Sequence, residues 1–463
     1  MTAPSAAAPL EEAREFLAKH PEIEAFDLIL TDANGVGRGK IIRRHELESI
    51  YTSGRGMPTS ILGLDITGDD VHETGLTWDT GDGDLLAWPV PGTLVPLHRT
   101  KPARGQVLLS MFHPDGRPMG ADPRNVLLRQ LEKFEQRGLR PAGAFELEFF
   151  LLDPERDSNG RIRPAKSVID GHRSDRTEVY SVDHLHDMEP LVSDIYAAAQ
   201  AQGLPVETII SEYAPGQYEL TLRYRTELIR AADDLIMLKR VVRMQARRYN
   251  ILACFMAKPN ENHAGSGMHL HISMPDSNGD NIYSEKTLGD WNPALLHSMG
   301  GLLATMPESM LVFAPHANSW RRFVAQSYAP VTPTWGVNNR SVALRVPEGN
   351  VKARRIEHRP AGVDSNPYLV AATVLAGIAK GMDKKIDPGP KVTGNGYENA
   401  PPVSADVPAD WRDAIEAAKA SAFLKDALGE EMHRVFTAIK QSEYLRVART
   451  VSELDYQLYM YEV

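Results

Sequence analysis

The chain has 463 residues, of which 42% are hydrophobic and 24% charged, the balance of a globular protein too long for one small core. Its net charge of -10 speaks against nucleic acid or an anionic membrane as a partner. The single cysteine, Cys254, excludes an intramolecular disulfide and a cysteine-built metal cluster.

Residues 1–12 lack the basic and apolar segments of a signal peptide. The longest apolar helical run, 369–379, is too short to cross a bilayer, so a cytoplasmic protein is expected. A short amphipathic helix is predicted over Leu10–Lys19. An apolar strand over 25–31 should end in the Asp32, Ala33, Asn34, Gly35 turn, with a return strand from Arg38. Glycine, proline and short strand-like pieces fill 43–105, so residues 1–110 read as a small β-rich domain and 111–463 as a larger one. Asp122 and Pro123 form an N-cap and first helical position, opening a helix that runs to Gly138. Strands are predicted at 144–152, 206–213, 218–224, 251–257, 267–274, 341–347 and 354–359. Helices are predicted near 186–202, 226–249, 292–313 and 364–386. A Pro/Gly-rich link over 387–407 precedes two helices, near 409–427 and 429–447, and an aromatic tail.

Residues 144–152 read A-F-E-L-E-F-F-L-L, the composition of a buried strand. On a strand, positions i and i+2 share a face, so Glu146 and Glu148 point the same way out of a hydrophobic segment. Two like charges there are costly unless a cation or an arginine answers them. Glu212 and Glu219 flank an A-P-G-Q turn and can converge at the end of one hairpin, although surface hairpins carry acids too. In G-S-G-M-H-L-H-I-S, two glycines permit close backbone approach, and His269, His271 and Ser273 alternate onto one strand face. Arg355, Glu357 and Arg359 alternate likewise, and Arg340 and Arg345 sit on the apolar segment before them. Arginine forks suit phosphate and carboxylate groups.

If Glu146, Glu148, Glu212, Glu219 and Glu357 converge, two divalent cations would cancel four of the five charges and three would overcompensate by one. Oxygen-rich ligation with one imidazole suits Mg²⁺ or Mn²⁺ better than zinc. Metals beside an arginine cluster describe a site of nucleotide phosphoryl transfer, here without a P-loop or a Rossmann fingerprint.

These motifs, with N-R-S-V-A-L-R-V-P at 339–347 and K-A-R-R-I-E-H-R-P at 352–360, resemble the type I glutamine synthetase family over nearly the whole chain. The resemblance implies an α+β fold: an N-terminal β-grasp domain, then a catalytic domain with a curved, mostly antiparallel sheet flanked by helices. It implies homo-oligomers, hexameric rings single or stacked, with active sites between neighbouring subunits. It implies one metal on Glu148, Glu212 and Glu219 and a second on Glu146, His269 and Glu357. ATP would meet Glu207, His271, Ser273, Arg345, Lys352 and Arg355, and Arg340 would hold the transferred phosphoryl group. L-glutamate would meet Gly265, Arg322 and Arg359.

The departures from that family decide the expected substrate. Ammonia-using members carry a flap N-S-Y-K-R-L-V-P-G-Y-E-A-P, and Tyr328 stands here where that glutamate would be. Their F-D-G-S-S aspartate has no counterpart in Met57, Pro58, Thr59, Ser60 and Ile61. Ala264 replaces an asparagine before the Gly-Ser-Gly run. Losing two acids leaves a larger, less charged pocket, suited to an organic amine rather than ammonium. Trp320, Trp335 and Tyr328 suggest apolar walls. The expected activity is therefore that of a γ-glutamylamide or γ-glutamylpolyamine synthetase. Ammonia-using glutamine synthesis and a non-catalytic scaffold are the alternatives. Tyr397, in G-N-G-Y-E-N, lies near the family's adenylylated tyrosine, but its flanks match poorly.

Overall fold

The computed structural model describes residues 4, 6–79, 81–287, 289–400 and 407–463. Among these residues, the strands form two sheets. The first holds β1 (Ala25–Thr31), β2 (Gly37–Arg43), β3 (Arg55–Pro58), β4 (Asp84–Pro89), β5 (Val95–Pro96) and β6 (Arg104–Phe112). Its order is β2-β1-β6-β4-β3, with β5 on β6, and β1 runs parallel to β6. The second holds β7 (Ala142–Leu152), β8 (Val206–Ser211), β9 (Gln217–Leu222), β10 (Leu252–Cys254), β11 (Leu270–Ser273), β12 (Trp335–Val337), β13 (Leu344–Val346) and β14 (Ile356–His358). Its order is β12-β13-β14-β11-β7-β9-β8, with β10 on β7. Every pairing in it is antiparallel except β12 with β13. The architecture is α+β, as the sequence predicts.

The core lies behind the second sheet. Phe145, Leu147, Phe149 and Leu151 on β7 are buried, and the long helix Leu228–Arg248 packs against that strand. Behind it, Arg124 forks onto Asp233 at 2.9 and 3.1 Å, and the Tyr368 hydroxyl donates to the same carboxylate at 2.8 Å. One satisfied charge pair thus ties three helices together, Pro123–Glu135, Leu228–Arg248 and Pro367–Lys384.

Helices Pro293–Phe313 and Pro367–Lys384 touch backbone to backbone through glycines. A Cβ on Gly301 would lie 2.1 Å from the Gly377 carbonyl oxygen and 2.5 Å from the Gly381 backbone. Neither neighbour is a side chain that can swing away. Gly301→Ala is therefore expected to destabilise the protein by about 3 kcal/mol, read as a lower urea midpoint at unchanged m-value. An unchanged midpoint would show that the helix pair can spread.

Several elements differ from the sequence-based expectation. The helix expected over 186–202 is two, Val182–His186 and Glu189–Ala201, because Pro190 starts a new helix at its first turn. The helix expected over 409–427 breaks at Ser421, whose hydroxyl accepts from the Leu424 amide at 2.9 Å and caps a second segment. The strands expected at 251–257, 267–274, 341–347 and 354–359 are paired over only three or four residues. β12 was not expected, being masked by Pro330 and Pro333 just before it. Residues 401–406 of the predicted link, and 1–3 and 5 of the predicted N-terminal segment, lie outside the described residues. No helix among the described residues is long and apolar enough to cross a membrane.

Candidate active site

Strand register lines up the predicted acids and histidines. Glu219 on β9 lies directly across from Glu148 on β7. On the other side of β7, His271 on β11 pairs with Ala144, and the Glu146 amide donates to the His269 carbonyl at 3.0 Å. His271 in turn faces Glu357 on β14, and Glu357 faces Arg345 on β13. Five adjacent strands thus carry one row of carboxylates, imidazoles and guanidinium groups. Glu212 joins the row from the hairpin turn between β8 and β9.

Glu146 is the hub of the row. His269 Nδ1 lies 2.9 Å from its Oε2, and His271 Nε2 lies 2.8 Å from its Oε1. Arg355 Nε donates to His271 Nδ1 at 3.1 Å, so His271 carries its proton on Nε2 and donates to Glu146. Burial alone would raise the Glu146 carboxyl, but the two histidines outweigh it and hold that carboxyl well below its ordinary value. Glu357 is held low in the same way, burial being outweighed by Arg359 and the histidines. Arg345 Nη1 donates to Glu357 Oε2 at 2.6 Å.

The opposite happens beside them. Burial, then the charges of Glu146, Glu148, Glu212 and Glu357, push Glu219 up to about 10. Burial and Glu148 push Glu212 up to about 7. Without a cation, this end of the site must keep protons. Ligand atoms of Glu146, Glu219 and His269 fall within 4.8 Å of one another, as do those of Glu146, His271 and Glu357. An oxygen-rich set with unanswered charge fits Mg²⁺ or Mn²⁺.

A pH dependence follows, with a definite sign. Glu219 has an ordinary value of 4.5 and a raised value in the fold, so between these the folded protein holds a proton that the unfolded chain has lost. Metal-free protein should therefore lose stability as pH rises from about 5 to about 9. Mg²⁺ bound among these carboxylates would replace those protons, so its stabilising shift in melting temperature should grow over the same range. An equal Mg²⁺ shift at both ends would contradict the charge accounting.

Two cavities meet at the row. The first, about 910 Å³, is lined by Glu148, Glu212, Glu219, His269, Gly265, Tyr328, Arg340, Arg345, Glu357 and Arg359 among others. The second, about 650 Å³, is lined by Glu207, His271, Ser273, Lys352 and Arg355, which are five of the six residues expected to meet ATP. The sixth, Arg345, lines the first. Among the described residues Glu146 alone lines both cavities.

Arg322 lines neither cavity. It is buried behind Gly265, with Nη1 donating to the Pro360 carbonyl at 2.8 Å and Nη2 to the Arg359 carbonyl at 3.2 Å. Arg359 reaches forward from there, donating from Nη2 to the Tyr328 carbonyl at 3.3 Å. Trp320 and Trp335 are not cavity walls. Their indole N–H groups donate to the Ala314 and Gly389 carbonyls, so both serve packing. Sequence reasoning missed Gln217, which shares the face of Glu219 by alternation and donates to the Gly265 carbonyl at 3.0 Å. It also missed Asn338, whose Oδ1 accepts from Arg345 Nη2 at 2.8 Å.

Fold and site together define an enzyme built on a curved, mostly antiparallel sheet, with carboxylates and imidazoles arrayed between two cavities that are both lined by cationic side chains. The profile described as "Glutamine synthetase, catalytic domain" matches residues 120–459, and the chain belongs to the glutamine synthetase family, whose members use ATP and divalent metal ions. It is 39% identical to gamma-glutamylputrescine synthetase of Escherichia coli (strain K12), over 96% of this chain and 93% of that one. It is 31% identical to a glutamate–isopropylamine ligase of a Pseudomonas species, over 87% of each. Identity to gamma-glutamylethanolamide synthetase of Streptomyces coelicolor is also 31%, over 89% of this chain and 87% of that one. A solved structure described as a GmaS/ADP complex superposes with a TM-score of 0.82 at 26% identity, covering 98% of this chain and 99% of that one.

Proposed function

We propose that this protein is an ATP-dependent ligase that joins the γ-carboxyl of L-glutamate to a primary organic amine through a γ-glutamyl phosphate. Three relatives named for glutamate–amine ligation, matched nearly end to end, support the reaction class. The single observation that carries the choice of amine is Tyr328. It lines the same cavity as Glu212 and Arg359, and it is not an acid where an ammonium-selective wall would carry one.

A carboxylate is a poor acyl donor because oxide is a poor leaving group. The γ-carboxylate of glutamate attacks the terminal phosphoryl group of ATP, the bond from that phosphorus to the bridging oxygen breaks and ADP leaves, while Arg340, Arg345 and Arg359 offset the charge of two anions brought together. The neutral amine nitrogen then adds to the carbonyl carbon of the acyl phosphate, the bond from that carbon to the phosphate oxygen breaks, phosphate leaves with the electron pair, and the nitrogen gives up one proton to solvent. Glu148, Glu212 and Glu219 would hold one metal ion, and Glu146, His269 and Glu357 a second; the clusters Glu146–Glu219–His269 and Glu146–His271–Glu357 cut across these two sets and support Glu146, Glu219, His269 and Glu357 among them. Bound Mg²⁺ or Mn²⁺ supplies charge neutralisation and polarises the phosphate oxygens. ATP occupies the cavity of Glu207, His271, Ser273, Lys352 and Arg355, and its phosphates extend toward Arg345 in the first cavity. Gly265, Arg322 and Arg359 hold glutamate, Arg322 by fixing the loop carbonyls around it.

The working form is a ring of subunits, single or stacked, in which a neighbour's N-terminal domain completes each site. Consistent with that, no described residue before Arg140 lines either cavity. The boundary between the two domains falls near residue 110, close to the end of β6 at Phe112. The enzyme draws on ATP and acts in the cytoplasm.

Phosphate release with ATP, Mg²⁺ and L-glutamate tests the reading across ammonium, putrescine, ethanolamine, isopropylamine and an arylalkyl amine. At least one organic amine should exceed ammonium in kcat/KM by tenfold or more. Ammonium above every organic amine would make the protein a glutamine synthetase. No glutamate-dependent turnover with any amine would favour a scaffold.

A further inference from the structure

The loop that carries Tyr328 has few bonds of its own, with the Ser327 amide donating to the Val324 carbonyl at 3.3 Å and the Ser327 hydroxyl to the Arg322 carbonyl at 3.2 Å. Gln326 and Tyr328 both have left-handed backbone angles, φ of 62° and 58°. Residues other than glycine adopt that region at a cost and keep it only when their surroundings impose it. Two contacts from outside the loop hold the end that carries Tyr328. From inside the site, Arg359 Nη2 donates to the Tyr328 carbonyl at 3.3 Å. From outside, the Tyr397 hydroxyl donates to the Ala329 carbonyl at 2.8 Å.

Tyr397 is itself well anchored. The Gly396 amide donates to Ser341 Oγ at 2.8 Å, the Tyr397 amide to Asn395 Oδ1 at 3.1 Å, and Asn339 Nδ2 to the Gly394 carbonyl at 2.9 Å. Ser341 directly follows Arg340 in the chain. The segment from Lys391 to Gly394 lines the same 910 Å³ cavity as Ser327 and Tyr328. Burial raises the Tyr397 phenol, so it stays a donor through neutral pH.

We propose that Tyr397 is a positioning residue: its hydroxyl latches the 324–330 loop to the wall bearing Arg340, and so keeps water away from the activated γ-carboxyl group. This inference rests on the ligase reading above. When the latch opens, a water oxygen adds to the γ-carbonyl carbon of the acyl phosphate. The bond from that carbon to the phosphate oxygen breaks, phosphate leaves with the electron pair, and the water's proton passes to solvent. Glutamate is regenerated and ATP is spent without amide.

Coupling is therefore the readout. For the full-length enzyme with its preferred amine, phosphate released per amide formed should be close to one. In Tyr397→Phe the ratio should rise at least twofold, and KM for glutamate about fivefold through the loosened Arg359 contact. The kcat for amide should stay within threefold, and the melting temperature should be unchanged. A folded Tyr397→Phe enzyme that stays fully coupled overturns the inference, because loss of a merely structural bond would not change coupling. If that variant fails to fold, Asn395→Ala keeps the phenol but frees the turn presenting it. It should show the same rise, and full coupling there overturns the proposal too. Wild-type protein that forms no amide with any amine would instead sink the ligase reading.

Discussion

Glu146→Ala is expected to lower kcat/KM for glutamate-dependent phosphate release by roughly 10³-fold or more, about 4 kcal/mol of transition-state stabilisation. The reason is position as well as charge. Glu146 touches His269 and His271 at once and lines both cavities. Its loss removes one negative group from the row of carboxylates and imidazoles and frees both imidazoles from the partner that orients them. Glu146→Gln separates the two contributions. It keeps the size and a carbonyl acceptor but not the charge, so it should recover little activity if charge dominates. The fold should survive either change, because the packing face of β7 is the opposite one, built from Phe145, Leu147 and Phe149. A Glu146→Ala enzyme within tenfold of wild type would remove Glu146 from the centre of the site.

Tyr328→Glu is expected to move the ratio of ammonium to organic-amine kcat/KM toward ammonium by about 10- to 100-fold. Tyr328 is 59% exposed, so a glutamate there faces no burial penalty of its own. Its carboxylate would enter a cavity that already holds Glu212, attracting a small cation and crowding out an apolar amine chain. The left-handed backbone at 328 already tolerates a bulky side chain, so the loop should keep its path. Loss of activity toward organic amines without any gain toward ammonium would show that Tyr328 only shapes the pocket. An unchanged ratio would take Tyr328 out of amine selection.

Much of this was legible in the sequence because strands alternate. The alternation of Glu146 with Glu148, of His269 with His271, and of Glu357 with Arg355 and Arg359 puts each set on one face without any tertiary information. Strand order was not legible. Only pairing shows that β11 sits between β7 and β14, and so sets His269 and His271 against Glu146. His271, read from sequence as an ATP contact, therefore also belongs to the cluster around Glu146. Helix ends were misjudged where a residue plays two parts. Ser421 ends one helix and caps the next, and Pro190 opens a helix inside an otherwise continuous apolar pattern. Trp320 and Trp335 were overread, since an aromatic side chain near a motif is more often packing than wall. The latch from Tyr397 to Ala329 joins residues 68 apart through a backbone carbonyl, and no side-chain pattern encodes that.

The most direct measurement is a competition in one vessel. The enzyme is given ATP, Mg²⁺ and L-glutamate with equal concentrations of ammonium and putrescine, and then of ammonium and isopropylamine. The products are separated and weighed by mass spectrometry. A γ-glutamylamide exceeding glutamine in at least one mixture, and vanishing when ATP is withheld, is the result predicted here. Glutamine as the main product of every such mixture, including ones made with larger amines, would contradict it.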